Sequence, residues 1–335
     1  MRKTVGPTMK DIAKRMNLSV TTVSKVINGH SDISEETKQK VFQTIEEMGY
    51  VQNYMAANLR RSKGNVVALV LSDISTPFFS RVIRSYVDTL SAAGYQTLIF
   101  GSYENPDKEY EFIRQLSSLH VAGIILDVAK DSVRSIPALK EAEIPYVLSN
   151  RYINEEEGPI VASDNVQAGY FATRHLIARK PGRPVICVDG PRNVSPSVAR
   201  LNGYRQALRE AGMPFEECYV FRDHYGLQDA FDICESIVKT VEPPFSVFCS
   251  TDLIAMGVLR GLHAQGLCVP EDVGVIGVDD IEMAAYLTPA LSTVSLPKEL
   301  IGEQSAEILI NLMEGRKVEQ PIRFLAPELI VRETT

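Results

Sequence analysis

The 335-residue chain carries only five cysteines, Cys187, Cys218, Cys234, Cys249 and Cys268, odd in number and far apart. None forms a CxxC pair or a Cys/His cluster with zinc spacing. That excludes a disulfide framework and a zinc module, and points to reduced, mostly structural thiols. Long apolar runs are missing too. None approaches the ~18 residues a membrane-spanning helix needs, and the charged segment 1–7 has no apolar stretch behind it, so no signal peptide is expected. The three main catalytic signatures, GxSxG, HExxH and the P-loop, do not occur, and Gly274-Val-Ile-Gly277 lacks the first glycine pair of a dinucleotide fingerprint. His30, His120, His175, His224 and His263 are not grouped with carboxylates or serines. An enzyme is therefore not expected, nor a catalytic residue, a metal site or a cofactor.

What is present divides unequally. The length suggests about two to three domains. The chain is acidic as a whole, at −7, yet residues 1–63 hold 11 Lys/Arg against 6 Asp/Glu, a net +5, and the remainder holds 24 against 36, a net −12. A small basic head on a large acidic body concentrates a phosphate-attracting field at one end.

The head has the pattern of three helices. Met9, Ile12, Ala13 and Met16 recur at helical spacing, Asn17-Leu18 breaks the pattern, and Ser19 can cap a second helix, Val20 to Ile27, that Asn28-Gly29 stops. A third begins near Ser34 and closes at Gly49, with Val41, Ile45 and Met48 turned towards Ile12, Met16, Val23 and Val26. A turn of three to four residues between the first two helices lets the second lie in a DNA major groove. With Val23, Val26 and Ile27 inward, Val20, Thr21, Ser24 and Lys25 face outward. Val20 and Thr21 at the helix start suit base edges, and Lys25 a guanine edge or a phosphate. Thr8, Ser19, Thr22, Asn28 and Asn53 are candidate phosphate contacts, with helix capping as the alternative for Thr8 and Ser19. Residues 50–63 contain a helix-forming stretch of about two turns, too short to be stable alone. Leu59 within it either wedges between base steps from the minor groove or packs on its own head.

From Val66 onward strand-like runs alternate with helical patterns. Strands are expected at Val66–Leu71, Tyr95–Phe100, Ala122–Leu126, Pro145–Ser149, Val185–Asp189, Ser246–Cys249 and Val273–Val278. Helices are expected at Phe79–Ala93, Asp107–Leu119, Ser132–Ala142, Ala168–Ala178, Leu201–Ala211, Gln228–Val241, Leu253–Ala264 and Lys298–Glu314. Such alternation argues for parallel sheets covered on both faces, with ligand sites at the carboxyl ends of strands and in the cleft between two sheets. Strand ends then nominate Asp73, Phe78, Phe79, Asp127, Asn150, Arg151, Arg200, Thr251, Asp252, Asp279 and Asp280. Rings stack on sugar faces or bases, while a carboxylate, a guanidinium and an amide together suit a neutral polyol. Asp252 as a helix cap and Phe79 as core are the alternatives.

Thr8-Met-Lys-Asp-Ile-Ala, Ser19-Val-Thr-Thr-Val-Ser-Lys-Val-Ile-Asn28, Gly49-Tyr50-x-x-Asn53 and Ala56-Ala-Asn-Leu59 resemble, position by position, the signature of LacI/GalR-type regulators. The resemblance extends over essentially the whole chain. It implies an α/β protein with an N-terminal helix-turn-helix head and a body like a type I periplasmic binding protein, two Rossmann-like lobes joined by three crossovers. The implied division is an extension at 1–7, the head at 8–53 and a hinge helix at 54–63. The N-terminal effector lobe takes 66–162 and 296–324, and the C-terminal lobe takes 163–293 and 326–335. Operator choice then maps to Val20, Thr21 and Lys25, and Ala56 and Leu59 join the DNA contacts through the hinge. Arg200 and Asp279 match the strongest effector contacts, with Asn150 and Thr251 also at ligand positions.

The resemblance implies a cytoplasmic, nucleoid-associated repressor that binds a pseudo-palindromic operator on double-stranded DNA as a homodimer. Its cleft takes a small effector of the sugar, phosphosugar or nucleobase class, and no membrane is involved. The dimer face is expected around Phe79–Tyr86 and Ile254–Leu262. Control of the body by a phosphocarrier protein or a co-repressor, in place of an inducing sugar, stays open. Two departures stand out: Gln52 where proline is frequent, and seven residues ahead of Thr8.

Overall fold

The computed structural model describes residues 7–27, 32–50, 64–153, 158–223 and 226–335, and these divide into two compact units, one within 1–62 and one within 63–335. The first unit holds α1 (Met9–Met16), α2 (Val20–Ile27) and α3 (Glu35–Met48). Ile12, Ala13, Val23, Val26 and Val41 are its buried centre, with Met16, Leu18 and Ile45 packed around them. Each helix boundary is set locally. Thr8 and Asp11 form a reciprocal capping box, Asn17 ends α1 in the left-handed region at φ 52°, Ser34 caps α3, and Gly49 ends it at φ 61°.

The second unit is built on two six-stranded sheets. In the first, β1 (Val66–Leu71) is central, followed by β2 (Gln96–Gly101), β3 (Gly123–Leu126), β4 (Tyr146–Ser149) and β5 (Ile160–Ser163). The chain returns for β11 (Ile322–Leu325). Spatial order is β11-β5-β4-β3-β1-β2, all parallel. The second sheet has order β12-β10-β9-β8-β6-β7, from β6 (Val185–Val188), β7 (Val220–Phe221), β8 (Phe245–Cys249), β9 (Val273–Asp279), β10 (Ser292–Ser295) and β12 (Glu328–Ile330). Only β12 runs antiparallel.

Helices cover both faces, so inner strands are buried and largely apolar: β1 reads Val-Val-Ala-Leu-Val-Leu and β9 is buried throughout. The edge strand β2 leaves Leu98 and Ile99 exposed. In the first lobe the covering helices are α4 (Pro77–Ala92), α5 (Pro106–Ser118), α6 (Ser135–Glu141) and the returning α12 (Lys298–Met313). In the second they are α7 (Asn165–Arg179), α8 (Ser195–Glu210), α9 (Leu227–Asp232), α10 (Cys234–Thr240) and α11 (Asp252–Ala264). The expected single helix Gln228–Val241 is two, divided at Ile233. Cys187, Cys234 and Cys249 are buried, Cys218 and Cys268 exposed, and all five are free thiols. Among the described residues no helix is long and apolar enough to cross a membrane.

Helices α7 and α8 cross at unusually short range. A Cβ on Gly169 would stand 2.0 Å from the Arg200 carbonyl oxygen, and one on Gly203 2.1 Å from that of Val166. Only glycine permits this approach, and it fixes the backbone that carries Arg200.

Candidate functional site

Two sites emerge, one on each unit. In the head, Ser19 Oγ accepts the Thr22 N–H at 3.0 Å and lies 2.8 Å from the Thr22 hydroxyl, so the start of α2 is capped by its own sequence. Val23 and Val26 are fully buried, which turns the opposite side outward. Val20 and Thr21 are exposed there, and Ser24 and Lys25 half-buried. Lys25 Nζ is paired with the Asp32 carboxylate, which reaches back from just ahead of α3. Arg15 and Glu47 pair at 2.7 Å and tie α1 to α3. Thr8 sits at the start of α1, its hydroxyl donating to Asp11 Oδ2 at 2.7 Å; that hydrogen bond holds the Asp11 carboxyl below its ordinary value. Thr8, Ser19, Val20, Thr21 and Thr22 are thus in or beside the first turns of two helices, with Ser24 and Lys25 in the second turn of α2. Asn28, Asn53, Ala56 and Leu59, with the hinge 54–63 and residues 1–6, lie outside the described residues.

In the body, a cavity of about 160 Å³ lies where strand ends of both sheets converge. The first lobe contributes Asp73, Thr76, Pro77, Phe78 and Phe79 after β1, Glu104 after β2, and Asn150 and Arg151 after β4. The second contributes Gly190 and Pro191 after β6, Ser197 and Arg200 from α8, Ser250 and Thr251 after β8, and Asp279 and Ile281 at β9. Phe78 and Phe79 meet edge to face, ring centroids 5.3 Å apart, as an apolar wall.

Arg200 is nearly buried and heavily oriented. Its Nε donates to Asn165 Oδ1 at 2.8 Å, one Nη to the Ser250 carbonyl, and the other faces Asp279 Oδ1 at 3.7 Å. That last distance exceeds a hydrogen bond. The carboxylate and guanidinium therefore confront each other across a gap that a ligand hydroxyl can bridge. Burial pulls the Arg200 guanidinium below its ordinary value, against the raising influence of Asp279 and Asp189. Burial pushes the Asp279 carboxyl up, against the cations Arg200 and Lys298. Asp279 and Asp280 have φ of 118° and 53°. Their turn is held by Lys298, which donates to both carbonyls and, at 3.3 Å, to that of Leu296. Asp189, behind the cavity, accepts the Gly190 N–H at 2.9 Å, and burial lifts it to about 6.

The other strand-end candidates separate. Thr251 lines the cavity and also caps α11 through the Ile254 N–H at 3.2 Å. Asp73 lines it and folds its own turn, accepting from Ser75 N–H and Oγ at 2.8 and 2.7 Å. Asn150, at φ 65°, lines it with its amide braced on Asp127 at 2.9 Å.

Asp127 itself is not on the wall. Fully buried, it accepts from Ser72 and Asn150 and orients the residue that is. Asp252 is likewise internal, accepting the Ile281 N–H at 2.9 Å and the Thr293 hydroxyl at 2.5 Å. Glu104, Arg151 and Ser197 complete the wall. Arg151 pairs with Glu104 at 2.7 Å. Glu104 follows β2 as Asp73 follows β1, so the strand-end rule reaches it once Ser102-Tyr103-Glu104 is read as that strand's exit.

Within the two segments expected at the dimer face, the apolar residues point inward and the polar ones form the surface. Phe79, Val82 and Tyr86 on α4, and Ile254, Ala255, Val258 and Leu262 on α11, are core residues of their own lobes. Their helical spacing marks the inward stripe. Solvent meets Ser80, Arg81, Arg84 and Asp88 on α4, and Arg260 and His263 on α11.

Residues 8–53 match the family model described as bacterial regulatory proteins, lacI family, and residues 173–335 match the periplasmic binding protein-like domain. The HTH-type transcriptional repressor CytR of Escherichia coli (strain K12) is 30% identical over 341 residues, covering 100% of this chain and 98% of that protein. The HTH-type transcriptional regulator DegA of Bacillus subtilis (strain 168) is 32% identical over 332 residues, 98% of each. Among solved structures, a transcriptional regulator CelR–cellobiose complex superposes with TM-score 0.77 at 30% identity, over 98% of this chain and 100% of that one. The lac repressor dimer bound to operator and the anti-inducer ONPF reaches TM-score 0.88 over 99% of both chains at 21% identity, a likeness of fold.

Proposed function

The chain belongs to the lacI family of bacterial regulatory proteins, and from that premise we propose that it is an effector-responsive repressor acting as a homodimer on a pseudo-palindromic operator. In this reading Val20, Thr21 and Lys25 read base edges. Thr8, Ser19, Thr22 and Ser24 position the head on the backbone, and Asn28, Asn53, Ala56 and Leu59 extend the contact. The hinge segment 54–63 couples the body to the head by ordering or failing to order on DNA.

The observation that carries the effector half is the Arg200–Asp279 confrontation at 3.7 Å beside the Phe78–Phe79 wall. Asp73, Asn150 and Thr251 complete the ring of polar groups, with Asp127 supporting Asn150. Cavity carboxylates Asp73, Glu104 and Asp279 outnumber the guanidiniums Arg151 and Arg200, and each guanidinium faces a carboxylate. That balance favours an uncharged hydroxylated ligand, a sugar or a nucleoside-like compound, over a phosphosugar. A relative solved as a cellobiose complex supports the same class. The edge strand β2, with Leu98 and Ile99 exposed, supports pairing of two first lobes. Operator binding places the action in the cytoplasm.

The test is direct. Random duplexes selected on the full chain should converge on two half-sites related by a two-fold axis. Sugars, nucleosides and their phosphates are then screened by thermal shift. A ligand at ~100-fold above its dissociation constant should stabilise the body by roughly 2.7 kcal/mol. Stabilisation by a phosphocarrier protein alone would replace the small-molecule reading, and an asymmetric single half-site would remove the dimer.

A further inference from the structure

We propose that Asp32 is a positioning residue for DNA recognition, acting through Lys25. The proposal rests on the reading that α2 faces the bases, and goes beyond it to a residue outside that helix. Asp32 belongs to neither α2 nor α3; it precedes the Ser34 cap of α3, and its carboxylate is ion-paired with Lys25 Nζ. Lys25 stands one helical turn after Thr21, on the same face. The pair therefore anchors the one charged side chain of that face to the α2–α3 junction. A lysine at this point is otherwise a strongly hydrated charge on a flexible four-carbon stem, free to sample phosphates on either side.

The ammonium has three N–H donors. One given to Asp32 leaves two for a base edge directly in front of the helix, so a specific complex can keep the pair. A lysine that swings sideways to a phosphate must leave Asp32 behind. Asp32 thus taxes backbone contacts and not base contacts, which raises specificity as a difference of affinities. The tax is modest. The two side chains are 42% and 53% exposed, and pairs of that kind contribute little in water.

The experiment uses the full chain, a mixed-sequence duplex and fluorescence anisotropy between about 50 and about 200 mM salt. Wild type, Asp32→Asn, Asp32→Ala, Lys25→Ala and the Lys25→Ala/Asp32→Ala pair are compared, each also selected on random duplexes. Wild-type binding to its selected site tests the DNA-reading function by itself. On that footing, both Asp32 variants should bind the mixed-sequence duplex about two- to five-fold tighter. The slope of log K against log salt should steepen by up to about 0.9, one extra phosphate contact. Base preference should flatten at one position in each half-site. On the Lys25→Ala background the Asp32 change should do none of these. An equal gain on both backgrounds would mean simple repulsion between Asp32 and phosphates, and overturns the proposal. So does an unchanged slope with unchanged base preference, or weaker binding by the Asp32 variants at unchanged melting temperature.

Discussion

Gly203→Ala tests the body at the place where backbone geometry and the effector cavity are most tightly joined. Helix propensity alone makes alanine better than glycine by roughly 0.5–1 kcal/mol in a helix interior. The structure reverses that sign. The added Cβ would lie 2.1 Å from the Val166 carbonyl oxygen and 2.5 Å from the Tyr170 nitrogen, both main chain on α7. A contact of ordinary length requires the helices to part by about 1 Å, and no side chain is available to yield. Overpacking of this kind costs about 1–3 kcal/mol, occasionally more, so a net loss of about 2 kcal/mol is expected. For a body of this size that lowers the melting temperature by roughly 4–8 °C. Because Arg200 lies on the displaced helix, its guanidinium should also leave Asn165 and Ser250. The assay is a thermal and urea melt of the full chain, with Gly226→Ala as control, since a Cβ there meets nothing within 4 Å among the described residues. The head, a separate compact unit, should keep its own transition. A Gly203→Ala protein as stable as wild type, or more so, would refute the reasoning.

Asp189 is lifted from 3.8 to about 6, so the folded state holds its proton more tightly than the unfolded one. Its contribution to stability is full below about pH 4 and is lost as pH rises through about 6, on the order of 3 kcal/mol. Asp189→Asn should remove that loss: more stable than wild type at pH 7.5, equal to it near pH 4, by denaturant titration at both. Exchanging Val20 and Thr21 for other side chains should move the selected half-site at one or two base pairs, with each mismatch worth about 1–3 kcal/mol and melting temperature unchanged. Asp127→Ala should weaken effector binding indirectly, by releasing the Asn150 amide, and destabilise the body by about 1–3 kcal/mol through the buried Ser72 and Asn150 donors it leaves; a stable variant with altered ligand preference would instead place Asp127 on the ligand.

What the sequence makes legible is what depends on neighbours along the chain. Ser19, Ser34 and Gly49 mark helix ends by local chemistry, and the outward set Val20, Thr21, Ser24 and Lys25 follows once Val23 and Val26 are assigned inward. Val66–Leu71 is readable as a buried strand because a parallel interior strand has no polar face. The short strands β5, β10, β11 and β12 are not readable. They have three or four residues each, and become strands only through partners far away in sequence, as Ile322 beside Ile160 and Thr293 beside Ile330. The same limit governs the site. Asp279, Asn150 and Thr251 sit at strand ends, where the rule looks, and Arg200 lies in the second turn of α8, a helix that begins six residues before the expected Leu201. Asp127 also ends a strand, yet three-dimensional packing puts it under Asn150 and not on the wall. The apolar stripes Phe79–Tyr86 and Ile254–Leu262 show the related limit that such a stripe looks the same whether its cover is its own sheet or a second chain; here it is the chain's own core.

The central claim, that one cleft ligand controls DNA binding through Arg200 and Asp279, is tested most directly by operator titration. Anisotropy on the selected duplex should be measured with and without the stabilising compound, for wild type and Arg200→Ala. The predicted result is a change in operator affinity of roughly 5–150-fold in wild type, abolished in Arg200→Ala while its ligand-free operator affinity is kept. The same ligand-induced change in both proteins would contradict the account.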